Sequence, residues 1–145
     1  MNWKAEAMER LQKYDAMRTS VQNIPAELRR LEVEACSIRA ARTEEAPVRG
    51  SGGRREDAML SNVVRRQQLQ WALDQAKLWV EITERGLQAL NPEEKLILHR
   101  FYLYPERGCV DRLCQELGVE QSSVYRKRDR ALNRFTVAVY GCPGG

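Results

Sequence analysis

The segment "CVDRLCQELGVEQSSVYRKRDRAL", Cys109–Leu132, carries the strongest indication of fold in this chain. Its first half is typical of a short amphipathic helix, because apolar residues recur at steps of three and four until Gly118 ends the pattern. A small residue, Cys114, precedes that glycine by four positions, and the β-branched Val124 follows it by six. The small residue allows two helices to cross closely, the glycine makes a tight turn, and the valine fixes the second helix against the first. This spacing predicts a helix-turn-helix.

The second helix of this segment is the candidate recognition helix. With Val124 and Phe135 facing inward, a period of 3.6 residues turns the opposite side of the helix outward. The amino-terminal half of such a helix enters the major groove of DNA. The residues expected to contact base edges are Gln121, Ser122, Tyr125 and Arg126. Arg126 fits this role best, since an arginine fork can bind O6 and N7 of guanine together.

The same helix is strongly basic, with a local net charge of +4 between residues 121 and 134. Phosphate contacts are therefore expected from its remaining polar residues, Ser123, Lys127, Arg128, Arg130 and Arg134. Asp129 is awkward beside phosphate, and three roles stay open: it lies beyond the groove, accepts from a cytosine, or pairs with an arginine. A helical hairpin whose charges are only solvated is the simpler alternative.

From about residue 90 to residue 135 the chain resembles region four of bacterial sigma factors, through "LNPEEKLILHRFY", "VDRLCQELGVEQSSVYR" and "RALNRF". The stretch "SSVYRKRDRALNRF" is more similar to phage late-gene regulators of the ArpU and RinA type. The resemblance implies binding to double-stranded DNA and contact with host RNA polymerase. Two positions depart from the family: Glu120 stands where serine or threonine usually caps the recognition helix, and Lys127 replaces an apolar residue.

The whole chain is predicted to be all-α, because Ala, Leu, Glu, Gln and Arg dominate its 145 residues. We expect an N-terminal helical hairpin over 1–42, broken at Asn23–Pro25, and a flexible linker rich in glycine and arginine over 43–56. A long connecting helix is expected over 57–90, followed by the helix-turn-helix domain over 91–142. Asn91 and Glu94 are predicted to cap the first helix of that domain.

The long helix bears two apolar stripes and therefore needs two covering partners. One stripe contains Leu60, Val64, Trp71, Leu78 and Ile82, and the other contains Leu69, Leu73, Ala76, Val80, Leu87 and Leu90. The first two helices are expected to cover one stripe. A second copy of the chain or the C-terminal domain is expected to cover the other. Trp71 and Trp79 are interpreted as core anchors.

No enzyme, metal site or cofactor is predicted. The four cysteines form no CxxC pair, and a zinc site built from His99, Cys109, Cys114 and Cys142 would have unusual spacing, so buried free thiols are expected. Paired carboxylates, a phosphate loop and a nucleophile arranged around the single histidine are all missing from the sequence pattern. The amino-terminal residues have no apolar stretch of secretory length, and no membrane span is indicated, which favours a cytoplasmic protein.

The leading hypothesis is a sequence-specific transcriptional regulator, encoded by a phage or prophage and acting with RNA polymerase. Its N-terminal helices would form a homodimer or hold the polymerase, and the sequence leaves both open. The competing hypothesis is a protein-interaction module that uses the same fold to bind and inhibit a host factor or a nucleic-acid enzyme.

Overall fold

A computed structural model describes residues 2–44 and 51–143, and in these residues the chain is all-α without any strand. The helices are α1 (Trp3–Gln12), α2 (Tyr14–Glu44), α3 (Ser51–Gln88), α4 (Pro92–Leu98), α5 (Cys109–Leu117) and α6 (Gln121–Tyr140). A π-helical turn, His99–Leu103, continues α4. None of the helices in the described ranges is both long and apolar enough to cross a membrane.

The predicted break at Asn23–Pro25 is wrong. α2 runs through Pro25 without interruption, and the first helical boundary lies at Lys13 instead. Even there the backbone stays nearly helical, since the Lys13 amide donates to Glu9 O and the Met17 amide donates to Lys13 O. A proline inside a helix removes one hydrogen bond and its ring clashes with the carbonyl four residues earlier, which together cost about 3 kcal/mol. Burial of Leu31 and Ala35 later in α2 stabilises the helix on that side of the proline.

The linker predicted over 43–56 is also helical at both ends, because α2 reaches Glu44 and α3 begins at Ser51. Residues 45–50 of that linker lie outside the described residues. Glycine in a helix costs only about 1 kcal/mol relative to alanine. Arg54, Arg55 and Glu56, which follow Gly53, are good helix formers.

The described chain divides into two compact units that differ from the predicted domains. Unit 1 takes the residues up to Arg18 together with those from Leu78 onward, and unit 2 is Thr19–Lys77. The first helix therefore belongs with the C-terminal part of the chain rather than with a hairpin over 1–42. The reason is burial, since Ala7 and Leu11 of α1 lie in the main core cluster of unit 1.

The core of unit 1 surrounds the inner face of α6. Its main cluster contains Ala7, Leu11, Leu90, Leu98, Tyr102, Leu103, Ala131, Leu132 and Phe135. A second cluster of Ile97, Leu113 and Val124 joins α4, α5 and α6. The inward orientation predicted for Val124 and Phe135 is confirmed, because both side chains are fully buried.

Gly86 allows α3 to approach α6 closely within unit 1. A Cβ atom there would lie 2.5 Å from Cγ2 of Val139 and 2.8 Å from Cε2 of Phe135. The ring of Phe135 is fully buried, so it cannot move aside into solvent, and protein cores are closely packed.

We expect Gly86→Ala to lower the free energy of unfolding by about 1–3 kcal/mol through overpacking. Most of this range exceeds the gain of about 1 kcal/mol that alanine normally brings to a helix interior, so no net stabilisation is expected. Gly53→Ala is the control, because its Cβ would meet no atom within 4 Å. Urea unfolding of both variants checks the difference, and a stabilised Gly86→Ala protein would contradict the close approach.

Polar and cation–π contacts also join α1 and the start of α2 to the part of α3 that belongs to unit 1. The Arg10 guanidinium lies 4.4 Å from the centre of the Trp79 ring, and the Trp79 indole donates to the Arg10 carbonyl at 3.0 Å. The Tyr14 hydroxyl donates to Glu84 Oε1 at 2.7 Å. Burial, followed by this hydrogen bond, raises the pKa of Tyr14 to about 12.

Stability is therefore expected to fall at alkaline pH. A tyrosine whose pKa is higher in the folded state favours folding fully below the unfolded pKa of about 10. Its contribution is lost as the pH rises from there through the folded pKa of about 12. Urea midpoints measured along this pH range should fall less steeply for Tyr14→Phe than for the natural chain. Equal slopes would show that Tyr14 does not contribute.

Unit 2 contains the paired portions of α2 and α3, which run in opposite directions. The Asn62 side chain is buried and donates to the Leu31 carbonyl at 2.8 Å, while Arg66 donates to its Oδ1 at 2.8 Å. Leu73 and Ala76 are buried, as one of the predicted stripes requires. Trp71 is 67% exposed, so its interpretation as a core anchor is wrong.

The cysteines also differ from expectation. All four are free thiols, but Cys36 and Cys142 are exposed, and Cys109 and Cys114 are only partly buried.

Candidate nucleic-acid interface

The connection between α5 and α6 is a three-residue turn that begins with a left-handed glycine. Gly118 has φ 66° and ψ 37°, and its amide donates to the Cys114 carbonyl. The Val119 amide donates to the same carbonyl at 3.2 Å. Because a Cβ at Gly118 would meet nothing within 4 Å, the preference for glycine here is conformational rather than steric. The predicted helix end at Gly118 is confirmed.

The turn is fixed by the small apolar cluster beneath it. Leu113 of α5 and Val124 of α6 are both fully buried, and Ile97 of α4 completes their cluster. Cys114 and Val119 pack against it as partly buried residues. The first turn of α6 is thereby held in a defined orientation relative to α5.

Among the residues that the structure describes, no side chain caps the amino terminus of α6. Glu120 occupies the N-cap position with extended backbone, φ −76° and ψ 160°, and no hydrogen bond from its side chain caps the helix. The Ser123 and Val124 amides donate to the Glu120 carbonyl at 3.0 and 3.1 Å. The departure of Glu120 from the resembled family therefore leaves the helix end uncapped by a side chain.

The four residues predicted to contact base edges share one exposed face at the start of α6. Gln121, Ser122, Tyr125 and Arg126 are all exposed. Positions i, i+1, i+4 and i+5 of a helix lie on the same side. Within the described part of the chain, Arg126 makes one hydrogen bond, from Nη2 to Ser123 Oγ at 3.2 Å, which leaves most of its guanidinium donors available.

The Tyr125 ring contacts two neighbouring side chains, Phe101 and Arg128. Its ring centre lies 6.2 Å from that of Phe101, and the Arg128 guanidinium carbon lies 5.0 Å from it. Arg128 also lies 5.3 Å from the centre of the Phe101 ring. Contacts of this kind between a cation and an aromatic ring are attractive, by about 0.5–1 kcal/mol at exposed sites, and favour the observed position of Tyr125.

The predicted phosphate contacts divide into paired and unpaired cations. Lys127 Nζ lies 2.5 Å from Glu93 Oε1, and Arg134 Nη1 lies 3.0 Å from Glu94 Oε1. Arg128 Nη2 lies 3.0 Å from Asp129 Oδ1. Arg130 is exposed and makes no ion pair with any residue that the structure describes. Ser123 is engaged with Arg126.

Of the three roles left open for Asp129, the structure contains the pairing with an arginine. Its carboxylate binds Arg128 through both Nε and Nη2 and lies 4.0 Å from Lys4 Nζ. The acid therefore partly neutralises the basic helix.

Sequence reasoning missed the role of Glu93 and Glu94 in this surface. Asn91 and Glu94 do form the predicted capping box, with the Glu94 amide donating to Asn91 Oδ1 at 2.8 Å. The additional contact of Glu94 with Arg134, and that of Glu93 with Lys127, join residues 40 and 34 positions apart. The only available signal was the acidic pair after Pro92, which a capping box already explains.

The candidate interface is thus the exposed polar face at the start of α6, whose opposite side is apolar and buried. Further along α6 lie cations, and three of them are paired with acids. Comparison with protein-family models, curated proteins and solved structures finds no match to this chain.

Proposed function

We propose that the protein is a sequence-specific DNA-binding transcriptional regulator in which α5 and α6 act as a helix-turn-helix. The observation that carries the proposal is the exposed face of Gln121, Ser122, Tyr125 and Arg126 at the start of a helix whose opposite side is fully buried. A helix that is packed against a core on one side and exposes its amino-terminal polar side chains on the other has the geometry needed to enter a major groove.

Cations further along α6 supply the attraction to phosphate in this proposal. Arg130 is available directly, whereas Lys127, Arg128 and Arg134 are paired with acids and could contact a phosphate only by giving up that partner. Such contacts give affinity without sequence information. The base-reading role falls to the exposed face, and above all to Arg126.

The resemblance to region four of sigma factors extends the proposal to a phage or prophage regulator that acts with host RNA polymerase. A homodimer formed through the helices of unit 2 belongs to the same proposal. Exposed apolar side chains on these helices support a protein partner, since Leu60 and Trp71 are 62% and 67% exposed.

A protein-interaction module is the second candidate function. Val33, Leu60, Val64 and Trp71 are large apolar residues of unit 2 that are exposed to solvent. If they, rather than α6, form the functional surface, the chain would bind a protein partner and show no preference among DNA sequences.

Selection of bound duplexes from a random pool, followed by binding across a salt series, tests the proposal. We expect an enriched motif, and log affinity that falls with log salt by about 0.9 per phosphate contact. A palindromic motif would support a dimer. Salt-dependent binding without an enriched motif would contradict sequence-specific binding, and absence of binding at low salt would favour the protein-interaction module.

A further inference from the structure

Two acids of α4 lie against the cations of α6, and this pairing has a consequence for DNA affinity. Glu93 contacts Lys127 at 2.5 Å and Glu94 contacts Arg134 at 3.0 Å. The four side chains line one cleft together with Arg130. A phosphate approaching this part of α6 would therefore meet two cations that already have anionic partners.

Glu94 is held in place more firmly than an ordinary surface acid. Its side chain is only 12% exposed, and Oε1 accepts from the Asn91 amide at 3.1 Å as well as from Arg134. The capping box fixes the carboxylate before any ligand arrives. If Arg134 turned to a phosphate, this carboxylate would lose its cation while staying largely out of water, which is unfavourable.

The pair of Glu93 and Lys127 is more open, with side chains 43% and 32% exposed. An exposed pair contributes little to stability. Its charges nevertheless cancel at the point where Lys127 would meet a phosphate. Release of counterions from DNA requires net positive charge on the protein, so a neutralised lysine contributes little to it.

We propose that Glu93 and Glu94 are internal competitors of DNA phosphate that limit the affinity of α6 for any duplex. The inference rests on the proposed DNA-binding function. These acids keep two of the predicted phosphate contacts, Lys127 and Arg134, from binding phosphate, whereas Arg130 stays available to it. Because phosphate contacts carry no sequence information, the acids lower affinity uniformly and leave the preferred sequence unchanged.

The test uses the full chain with Glu93→Gln, Glu94→Gln and the double variant. Glutamine removes the charge, and at position 94 its side-chain oxygen can still accept the capping-box hydrogen bond from the Asn91 backbone amide. Glu81→Gln is the matched control, because Glu81 makes an ion pair with Arg85 on α3 and its replacement changes the net charge equally. Each protein is titrated with the selected duplex and with a scrambled duplex across a salt series.

Each single variant should steepen the salt dependence by about 0.9 and the double variant by about 1.8. Affinity for the selected and scrambled duplexes should rise by the same factor. Adding Lys127→Gln to Glu93→Gln should return the slope to that of the natural chain. Urea midpoints of the variants confirm that the fold is retained.

Failure of this inference differs from failure of the proposed function. If the natural chain binds DNA but the glutamine variants match Glu81→Gln in slope, the acids do not compete with phosphate and only this inference is overturned. If the natural chain and every variant fail to bind either duplex at low salt, the DNA-binding function is overturned as well.

Discussion

Replacement of Phe135 by alanine is expected to lower the free energy of unfolding of unit 1 by about 3–5 kcal/mol. Phe135 is among the largest fully buried side chains and lies in the main cluster, where α1, α4 and α6 meet. Its ring also fills the space beside Gly86. Truncation removes apolar contact and leaves a cavity that three packed helices cannot readily close.

The loss is large relative to the stability of a whole domain, which is typically about 5–15 kcal/mol. Urea unfolding followed by helical circular dichroism measures it as a shift of the midpoint. Val137→Ala is the matched control, since Val137 lies two residues further along α6 and is 43% exposed. That control should change the free energy of unfolding by less than about 0.5 kcal/mol. Equal effects of the two substitutions would contradict the placement of the core.

The local features around α5 and α6 could be predicted from the sequence because each depends on near neighbours. Gly118 ends α5 through its own backbone conformation, and the buried face of α6 follows from the spacing of Val124 and Phe135. The capping box at Asn91 joins residues only three positions apart. In each of these patterns the interacting residues lie within one or two helical turns of each other, so the sequence alone contains the whole pattern.

Features that depend on distant contacts were not predictable in the same way. Pro25 indicated a helix break, but a long helix can accommodate one missing hydrogen bond when later turns are buried. The apolar stripe that includes Trp71 was visible in the sequence, yet apolar spacing does not reveal whether a partner covers it. The membership of α1 in unit 1 likewise depends on residues more than a hundred positions away.

The candidate site shows the same division. The exposed face of α6 follows from helical periodicity, so the positions of Gln121, Ser122, Tyr125 and Arg126 were predictable. The pairing of Lys127 and Arg134 with acids of α4 was not, because nothing in the sequence brings two positively charged residues next to two particular glutamates. Charge counted along one helix therefore overstates the charge that this helix presents.

Loss of the Arg126 side chain is expected to have the largest effect on DNA recognition within the proposed function. Arg126→Ala should weaken binding of the selected duplex by about 1–3 kcal/mol, the range for a bidentate contact with guanine. At about tenfold per 1.4 kcal/mol, this corresponds to a loss of roughly five- to 150-fold. Stability should be nearly unchanged, because Arg126 is exposed and its one hydrogen bond to a described residue is with Ser123.

Arg126→Lys distinguishes base reading from simple attraction to phosphate. Lysine keeps the charge but lacks the planar fork, so it should preserve the salt dependence while losing preference for guanine at one position of the motif. Arg134→Ala serves as a second comparison, and its effect should be smaller because Glu94 already neutralises that charge. Binding to selected and scrambled duplexes, measured at several salt concentrations, gives all of these quantities. If Arg126→Ala weakens both duplexes equally, Arg126 contacts phosphate rather than a base, and if neither changes, this face of α6 does not contact DNA.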